Sequence, residues 1–534
     1  MGNKKFIFGE DHLVEILRLK HQEGLSNRSI AKIFNCGKST IGDFLTGKTY
    51  SDFWKQYHKK PLATGSVENK LEERKVLKGK RFVFTSAQNN TFVHEKFLKS
   101  LETYCEVMDA SLIVSTFHYN KSGYQLNKTK DLWYDPKIRG YIVDEPCQVA
   151  EGLVFGGEIN ILPTAVNPLS GFHNYFSHES GVIPHVKIQM ESLPSPKNES
   201  ARFLYTTGAV TQRNYIQMKA GNKASFHHCF GALVVEVDEE GDWFARQIHA
   251  EQKTGCFYDL DKYFTPDGFT FGNNIEAINY GDVHAAKLDE VVAKTSWEKN
   301  VGHSSILDTL KPSYQLVHDA MDQQARNHHN IKDPHFLFEM FTNKTESLKD
   351  EIIKTANVLR EMERDFSEVV VVESNHDTAL EKYLKEQDYR KDPINAVFFL
   401  ELQLDKYYAM ERGNKDFQTF ENAIIRVAPD LYKVRFLKTD ETFRVKDIEC
   451  GQHGNYGVNG SRGSISAFQK QGIKFNVGHS HSAAIKDGVY YAGVSGKLDM
   501  GYNKGGSSWS QSHILTYKNG KRAIVTLKNG KWRS

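Results

Sequence analysis

Five short groups of aspartate, histidine and asparagine residues constrain the fold of this chain more than any other feature of its sequence. They are Asp282-Val-His284, His318-Asp319-Ala-Met-Asp322, Asn375-His376-Asp377, His453 and Gly478-His479-Ser480-His481. Four of them directly follow apolar, β-rich runs, at 277–280, 314–317, 369–372 and 475–477. Because open α/β sheets present their sites at the carboxyl ends of strands, the pattern predicts that these side chains meet at one sheet edge.

This set of side chains suits a pair of divalent metal ions. Imidazole nitrogen and carboxylate oxygen together satisfy borderline ions, so we expect Mn, with Fe, Zn or Mg as alternatives. Two such ions roughly 3.5 to 4 Å apart stabilise both the attacking and the leaving oxygen of an in-line displacement at phosphorus. The pattern therefore predicts a two-metal enzyme that hydrolyses phosphoesters.

The order Asp-x-His, Asp, Asn-His, His, Gly-His-x-His resembles the calcineurin-like metallophosphoesterase superfamily over roughly residues 270–500. The resemblance implies a β-sandwich flanked by helices. It implies one metal bound by Asp282, His284 and His481, a second bound by Asn375, His453 and His479, and Asp319 as the bridge between them. It also implies that His376 protonates the leaving alkoxide and that Asp377 fixes the tautomer of His376.

Two positions depart from the pattern of that superfamily. Glycine normally precedes both the bridging aspartate and the Asn-His pair, whereas His318 and Ser374 stand there in this chain. A side chain at these places either crowds the turn or adds a hydrogen bond to the ligand shell. The assignment of His453 rests on its place between the third and last motifs and on the Gly-rich stretch at 454–463.

At 534 residues the chain is too long for one ordinary core, which predicts a multidomain α/β protein. We expect a helix-turn-helix DNA-binding module at 1–60, a linker at 61–80, a middle α/β or α+β domain of unknown role at 81–265, and a metallophosphoesterase domain with a C-terminal β-hairpin extension at 266–534. Asn519-Gly520 and Asn529-Gly530 predict the hairpin turns of that extension.

Residues 11–46 carry the helix-turn-helix pattern. Ser26 is placed to cap the second helix, and the third helix begins at Lys38, so Lys38, Ser39 and Thr40 are expected to face bases or phosphates. Residues 1–80 hold sixteen Lys and Arg against nine Asp and Glu, about +7, which leaves about −4 of the net +3 for the remainder. The alternative is a small helical packing or oligomerisation module that never touches DNA.

The middle region predicts a β-α-β unit over 82–115, with further strands at 140–143, 158–162, 202–206 and 232–237. A structural domain that positions substrate or mediates assembly is its expected role. In the last region, Glu346–Phe366 predicts a crossover helix. The last seventeen residues hold six Lys and Arg and no acid, which predicts either contacts to phosphate or a solvated edge.

Arg326, Asn327, His328 and His329 follow the second motif and are candidates for contacts to substrate phosphate, with a polar surface loop as the alternative. Six scattered cysteines favour reduced thiols and a cytoplasmic protein. The sequence has no apolar run long enough for a membrane helix, so no membrane partner is expected.

The combination of a DNA-reading module with a two-metal phosphoesterase predicts a metal-dependent DNase that binds DNA. The third motif is similar to that of double-strand-break repair nucleases. Size and domain order also resemble the host-DNA-degrading pre-early proteins of T5-like bacteriophages, which implies action on DNA in the bacterial cytoplasm, Mn dependence and a homo-oligomer. The alternatives are a phosphatase or phosphodiesterase of small esters, and a non-catalytic DNA-binding or DNA-transfer protein.

Overall fold

The computed structural model describes residues 8–21, 23–57, 74–121, 132–197, 199–272, 274–299, 304–327 and 329–534. They form a mixed α/β protein with several β-sheets. No helix among these residues is both long enough and apolar enough to cross a membrane.

Four short helices make up the amino-terminal module: α1 Glu10–His21, α2 Asn27–Ile33, α3 Lys38–Leu45 and α4 Ser51–Tyr57. Ser26 caps α2 as expected, since its hydroxyl accepts a hydrogen bond from Ser29 N at 3.1 Å. The helices pack around Ile16, Ile30 and Phe44. Trp133, from the region that follows, is fully buried in the same core and so attaches the module to the rest of the protein.

Residues 74–272 fold mainly as strands. Their elements are β1 Lys75–Val76, β2 Arg81–Gln88, α5 Glu95–Met108, β3 Ser111–Phe117, β4 Pro146–Ala150, β5 Leu153–Gly156, β6 Ser180–Ile183, β7 Met190–Leu193, β8 Arg202–Thr206, α6 Lys219–His227, β9 Gly231–Val237, β10 Trp243–His249, β11 Phe257–Asp259, β12 Lys262–Thr265 and β13 Gly268–Phe271. The predicted β-α-β unit corresponds to β2, α5 and β3, and two further predicted strands correspond to β8 and β9.

Residues 274–534 alternate strands and helices. Their elements are β14 Ile275–Asn279, α7 Glu290–Ser296, α8 Ile306–Leu310, β15 Tyr314–Val317, α9 Pro334–Thr342, α10 Leu348–Met362, β16 Glu368–Val371, α11 Asn375–Glu386, α12 Ala396–Glu411, α13 Thr419–Val427, β17 Arg435–Phe436, β18 Arg444–Val445, β19 Ile448–Glu449, α14 Ile465–Gln469, β20 Lys474–Val477, β21 Ala484–Lys486, β22 Val489–Tyr491, β23 Ser512–Tyr517 and β24 Arg522–Thr526. The predicted crossover helix is α10. Gly520, with φ of 74°, forms the predicted turn between β23 and β24.

Two large sheets position the five motifs. One has the order β17-β16-β15-β14-β23-β24, with β14 to β17 parallel. The other has eleven strands in the order β1-β4-β5-β6-β8-β7-β21-β22-β20-β19-β18. This sheet runs through both the 81–265 and the 266–534 regions, because β7 pairs with β21. The boundary predicted near residue 265 does not divide it.

The two sheets pack face to face. Ala277, Leu316 and Val370 of the six-stranded sheet share a buried cluster with Val445 and Ile448 of the eleven-stranded sheet. The outer face of the six-stranded sheet is covered by helices, because the largest core joins strands β14 to β16 to α10, α12 and α13. Burial on both faces explains why these strands are short continuous apolar runs.

Parts of the middle region differ from the sequence expectation. Residues 140–143, predicted as a strand, begin inside a 3-10 helix over Pro136–Tyr141, although Ile142 does bridge to Val114. Residues 158–162 form no strand, since the local strand β5 ends at Gly156. Most of the predicted linker, 61–73, lies outside the described residues, and its end contains β1, which pairs with β4.

Candidate metal centre

The five motifs meet at the carboxyl ends of strands from both large sheets. Asp282, Asp319 and Asn375 follow β14, β15 and β16, while His453 and His479 follow β19 and β20. The side chains of Asp282, His284, Asp319, His453 and His481 are buried. Residues up to two hundred positions apart in the sequence thus share one small volume, as expected for strand ends at a common edge.

Asp282, His284, Asp319 and His481 form the first group whose ligand atoms all lie within 4.8 Å of one another. His481 Nε2 lies 3.2 Å from Asp282 Oδ2. His284 Nε2 lies 3.0 Å from His481 Nε2 and 3.5 Å from Asp319 Oδ2. Two carboxylates and two imidazoles that converge in this way form a donor set suited to a borderline divalent cation.

A second group within the same limit consists of Asp319, His453 and His479. His453 Nε2 lies 3.2 Å from Asp319 Oδ2. Asp319 therefore belongs to both groups, which is the arrangement expected of a residue that bridges two metal ions.

Unsatisfied buried atoms test whether this cluster fits cations. Asp282 Oδ1, Asp319 Oδ1, Asn375 Oδ1 and His453 Nδ1 are buried without a hydrogen-bond partner in the described part of the chain. Each such atom costs about 1–3 kcal/mol unless something binds it. These four atoms converge among the predicted ligands, so the residues present fit divalent metal ions.

The backbone turns sharply where the ligands leave their strands. His284, Asp319, His479 and His481 have φ values of 46°, 45°, 71° and 57°, in the left-handed region. Non-glycine residues adopt this region at a cost of order 1–3 kcal/mol, and such residues cluster at functional sites. The local strain accompanies the convergence of the side chains.

Gly478 is required by close packing against the first motif. A Cβ atom at this position would lie 2.1 Å from Asp282 Oδ1 and 3.1 Å from the Cβ of His318. The neighbouring amide, His479 N, donates a hydrogen bond to Asp282 Oδ2 at 2.7 Å. The missing side chain thus allows the last motif to hold the carboxylate of the first.

Asp322 stands in the second motif, where the sequence pattern assigned it no role, and it contacts His284. Its Oδ1 lies 3.1 Å from His284 Nδ1, the ring nitrogen that points away from the cluster. Burial lowers the pKa of His284, but the hydrogen bond to Asp322 and the charge of Asp319 outweigh burial and raise the pKa to about 9. A carboxylate behind a ligand histidine fixes its tautomer and orientation.

His376 lies beside this cluster with its side chain 20% exposed. Its Nδ1 lies 2.8 Å from the carbonyl oxygen of Asp322, which can only accept, so Nδ1 carries a proton. This differs from the expectation that Asp377 orients His376. The Asp377 carboxylate instead accepts hydrogen bonds from Met321 N and Ser374 Oγ. Burial raises the pKa of Asp377 to about 7.

The two departures from the family pattern are accommodated. Ser374 caps α11, since its hydroxyl accepts from Asp377 N at 3.2 Å. His318 is fully buried, with Nε2 3.5 Å from Asn279 Nδ2. Burial lowers the pKa of His318 to about 4, which keeps the ring neutral beside the cluster. Neither side chain blocks the convergence of the ligands.

The loop that follows the second motif has structural contacts. Arg326 is buried, and its guanidinium binds both carboxylate oxygens of Asp392, at 2.6 and 2.8 Å. Asn327 Oδ1 accepts a hydrogen bond from His329 N. His328 lies outside the described residues. These contacts favour the polar-loop alternative for Arg326 over a contact to substrate phosphate.

The basic carboxyl terminus also has protein partners. Arg522 is buried and donates to the carbonyl oxygens of Phe475 and Gly488. Lys531 pairs with Asp238 and Glu240, and Lys528 pairs with Asp242. The acidic group Asp238, Glu240 and Asp242 is thereby neutralised, so we do not count it as a metal site.

An open cavity of about 770 Å³ adjoins the candidate metal centre. Asp319, His376, His479 and His481 line it, as do Arg462, Tyr502 and Trp509, which no motif indicated. The Trp509 ring packs edge-on against His481, with centroids 4.3 Å apart.

In the amino-terminal module, Lys38 and Ser39 are exposed at the start of α3, and Thr40 is half-buried.

Fold and site define a mixed α/β protein with buried Asp/His clusters that can hold metal ions. No family model matches the chain, and no solved structure matches it significantly. Protein A1 of Escherichia phage T5 is 44% identical to it over 484 residues, which are 89% of this chain and 86% of the T5 protein. The chain therefore belongs to the family of T5 Protein A1.

Proposed function

We propose that the protein is a metallophosphoesterase that acts as a DNase, hydrolysing DNA phosphodiester bonds with two divalent metal ions. The observation that carries the proposal is the pair of ligand groups that share Asp319, with His376 at the wall of the adjoining cavity. Asp282, His284 and His481 would hold one ion, His453, His479 and Asn375 the other. Mn is the expected metal, because mixed imidazole and carboxylate ligands suit borderline ions.

When bound, the metals supply Lewis-acid stabilisation of the attacking and leaving oxygens. His376 supplies the proton for the leaving group. Its Nδ1–H donates to the Asp322 carbonyl, so Nε2 is the nitrogen that gains and releases a proton. Water adds to phosphorus, the ester P–O bond breaks, the departing alkoxide takes the proton from His376, and the proton released by the water passes to solvent.

DNA as the substrate is supported by three features. The chain belongs to a bacteriophage family. Residues 1–80 are basic, and Lys38 is exposed at the start of α3, where a phosphate would be bound. The cavity carries Tyr502 and Trp509 beside His481, with ring centroids 5.8 Å apart, and aromatic rings of this kind stack nucleobases.

The test is digestion of linear and covalently closed circular DNA by the purified protein with Mn, Mg or EDTA. We expect metal-dependent cutting that Asp319→Ala abolishes. His376→Ala should reduce cutting at least a hundredfold, since general acid catalysis contributes about 10²–10⁴-fold. Metal binding should persist in His376→Ala, and His335→Ala, which changes an exposed histidine outside the cavity, should retain wild-type activity.

Each alternative has its own outcome in this test. Hydrolysis of bis(p-nitrophenyl) phosphate without cutting of either DNA would replace the DNase with a phosphodiesterase of small esters. DNA binding without hydrolysis of any substrate would indicate a DNA-binding or DNA-transfer protein. Cutting of the closed circle would establish endonuclease activity, and cutting of linear DNA alone would establish attack from ends.

A further inference from the structure

The strand order around the metal cluster occurs twice in this chain. The central strands β15-β14-β23-β24 run parallel, antiparallel and antiparallel along the sheet. A four-stranded sheet in the middle region has the order β3-β2-β9-β10 with the same directions. In both sheets the parallel pair consists of the first two strands of its region, β14 with β15 and β2 with β3. The last two strands of the sheet, β23 with β24 and β9 with β10, come later in the chain and pair antiparallel.

The eleven-stranded sheet shows the same repetition. The strands β18-β19-β20-β22-β21 are joined antiparallel, parallel, parallel and antiparallel. The strands β4-β5-β6-β8-β7 are joined in the same sequence of directions. The two series meet where β7 pairs antiparallel with β21, so they are related by an approximate twofold axis at the centre of the sheet.

Hydrogen bonds outside the strands identify equivalent residues. Asp282 N donates to Gly493 O at 3.1 Å, and Ser495 N donates to Asp282 O at 2.7 Å. In the middle region Ser86 N donates to Gly208 O at 3.2 Å, and Val210 N donates to Ser86 O at 2.9 Å. The same two-way exchange makes Ser86 the equivalent of Asp282. Gln88, two residues later, is then the equivalent of His284.

Three further ligand positions, those of Asp319, His479 and His481, follow in the same way. Val372 N donates to Val317 O, and in the middle region Val143 N donates to Val114 O. Val114 is therefore the equivalent of Val317, and Thr116, two residues later, is the equivalent of Asp319. Strand pairing of Phe475 with Val489 matches that of Gly181 with Leu204. Counting on from these pairs makes His185 the equivalent of His479, and Lys187 the equivalent of His481. Lys187 is buried, with its ammonium 3.1 Å from Val166 O and 3.7 Å from Asp487.

In the middle region, hydroxyl groups thus replace both carboxylates: Ser86 stands for Asp282 and Thr116 for Asp319. The amide of Gln88 replaces His284, and the ammonium of Lys187 replaces His481. Of these equivalent positions only His185 keeps its type, and its Nδ1 accepts a hydrogen bond from Lys187 N. None of these five equivalent positions holds a carboxylate, the ligand type that suits Mn.

The middle region nevertheless reaches the cavity at the metal cluster. Asn167, Ser170, His173 and Gln189 line the same 770 Å³ cavity as His376 and His479. This follows from the pairing of β7 with β21, because β21 begins just after the last motif. Asn167, Ser170 and His173 are exposed there, and His173 Nε2 lies 3.5 Å from Glu191.

We infer that residues 81–265 are a second copy of the fold that carries the metal cluster, and that this copy has lost the metal-binding side chains at four of the five positions compared. It now forms the wall of the cleft that holds the DNA strand next to the bond being cut. The inference rests on the proposed DNase function. Asn167, Ser170 and Gln189 are neutral hydrogen-bonding residues, and the neighbouring carboxylate Glu191 is paired with His173. Such side chains suit contacts to the phosphates and sugars of an extended DNA strand, and a small ester offers no such strand.

Metal counting tests the loss of ligands in the second copy. Dialysis of the full chain against Mn, followed by metal analysis, should give two ions per chain for wild type and for His185→Gln. Asp282→Asn/Asp319→Asn should bind none while keeping the wild-type circular dichroism spectrum. Fewer ions in folded His185→Gln, or two ions left in the double variant, would overturn the inference. A wild type without bound metal would instead refute the proposed function.

A kinetic comparison tests the wall. In Asn167→Ala/His173→Ala, kcat/KM for DNA should fall about tenfold or more relative to kcat/KM for bis(p-nitrophenyl) phosphate, through a higher KM for DNA. Asn174→Ala/His178→Ala removes the same side-chain types from exposed positions of the same segment that do not line the cavity, and should leave the ratio unchanged. If the ratio of the two kcat/KM values is the same in both variants, the middle region does not contact the DNA strand. If the wild type hydrolyses neither substrate, the proposed DNase function is refuted.

Discussion

Replacing Asp322 by Asn removes the charge behind His284 while keeping the shape of the side chain. The carboxylate lies 3.1 Å from His284 Nδ1, and both groups are buried, so the interaction is little screened by solvent. Loss of such an outer partner weakens metal binding by about 10–100-fold. This corresponds to about 1.4–2.7 kcal/mol of metal-binding free energy. His376 keeps its hydrogen-bond partner, the backbone carbonyl of residue 322, and loses only the carboxylate oxygen 3.7 Å from its Nδ1.

We therefore expect Asp322→Asn to raise the Mn concentration needed for half-maximal hydrolysis of bis(p-nitrophenyl) phosphate by 10–100-fold. At saturating Mn its kcat should return to within a few-fold of wild type, whereas His376→Ala should not recover. Asp350→Asn, the same change at an exposed position, should behave as wild type. An unchanged Mn requirement, or a loss of kcat that saturating Mn does not restore, would refute the reasoning.

The same variant has a pH signature in metal-free protein. The folded-state pKa of His284 is raised to about 9, above its ordinary value of 6.5, because Asp322 and Asp319 outweigh the effect of burial. A raised histidine pKa stabilises the fold fully below the unfolded-state value, and the stabilisation is lost as pH rises through the folded-state value. In EDTA, the difference in Tm between wild type and Asp322→Asn should be largest near pH 6 and shrink toward pH 9.5. A difference that grows with pH would contradict this sign.

Three further substitutions have definite expectations. Gly478→Ala places a methyl group 2.1 Å from Asp282 Oδ1, so it should abolish tight Mn binding measured by calorimetry. Its circular dichroism spectrum should remain that of a folded protein. Normal Mn affinity would show that the Asp282 carboxylate can move freely. Lys38→Ala should weaken DNA binding and reduce the slope of log K against log salt by about 1, and an unchanged slope would argue against a phosphate contact. Arg326→Ala removes the bidentate partner of Asp392, a half-buried carboxylate that keeps hydrogen bonds from Tyr383 and Asn395. It should lower stability by about 1.5–3 kcal/mol in denaturant unfolding, and a higher KM for DNA at unchanged stability would restore its role as a substrate contact.

Much of the candidate site was predictable because its signals are local. Asp282, Asp319 and His479 each stand two residues after a short apolar run, and a β-strand fixes where the residues at its end point regardless of the rest of the chain. For this reason Asp282, Asp319 and His479 could be placed at strand ends from their neighbours alone, whereas His453 was assigned from its place between the third and last motifs. The caps are equally local: Ser26 and Ser374 each bond an amide three residues away, which is visible as a serine before a helical pattern.

The roles of polar residues near the site were less predictable. Asp377 and Asp322 are both acidic and both close in sequence to ligands, yet the structure places Asp322 behind His284 and turns Asp377 toward Met321. The sequence leaves Arg326 open between a phosphate contact and a polar loop, and the partner that decides between them, Asp392, lies 66 residues away. In each case the role depends on which distant group the side chain meets, and that is a property of packing.

The sequence by itself determined the ligand types, their order and their attachment to strand ends, because side-chain chemistry and strand periodicity are carried by a few adjacent residues. Only the tertiary structure decided that β7 and β21 pair, that the strand order occurs twice, and that the middle region forms a wall of the cavity beside His376. Strand pairing between residues almost three hundred positions apart is selected by burial of whole sheet faces, and a repeat whose side chains have diverged is preserved in backbone hydrogen bonds that the sequence does not display.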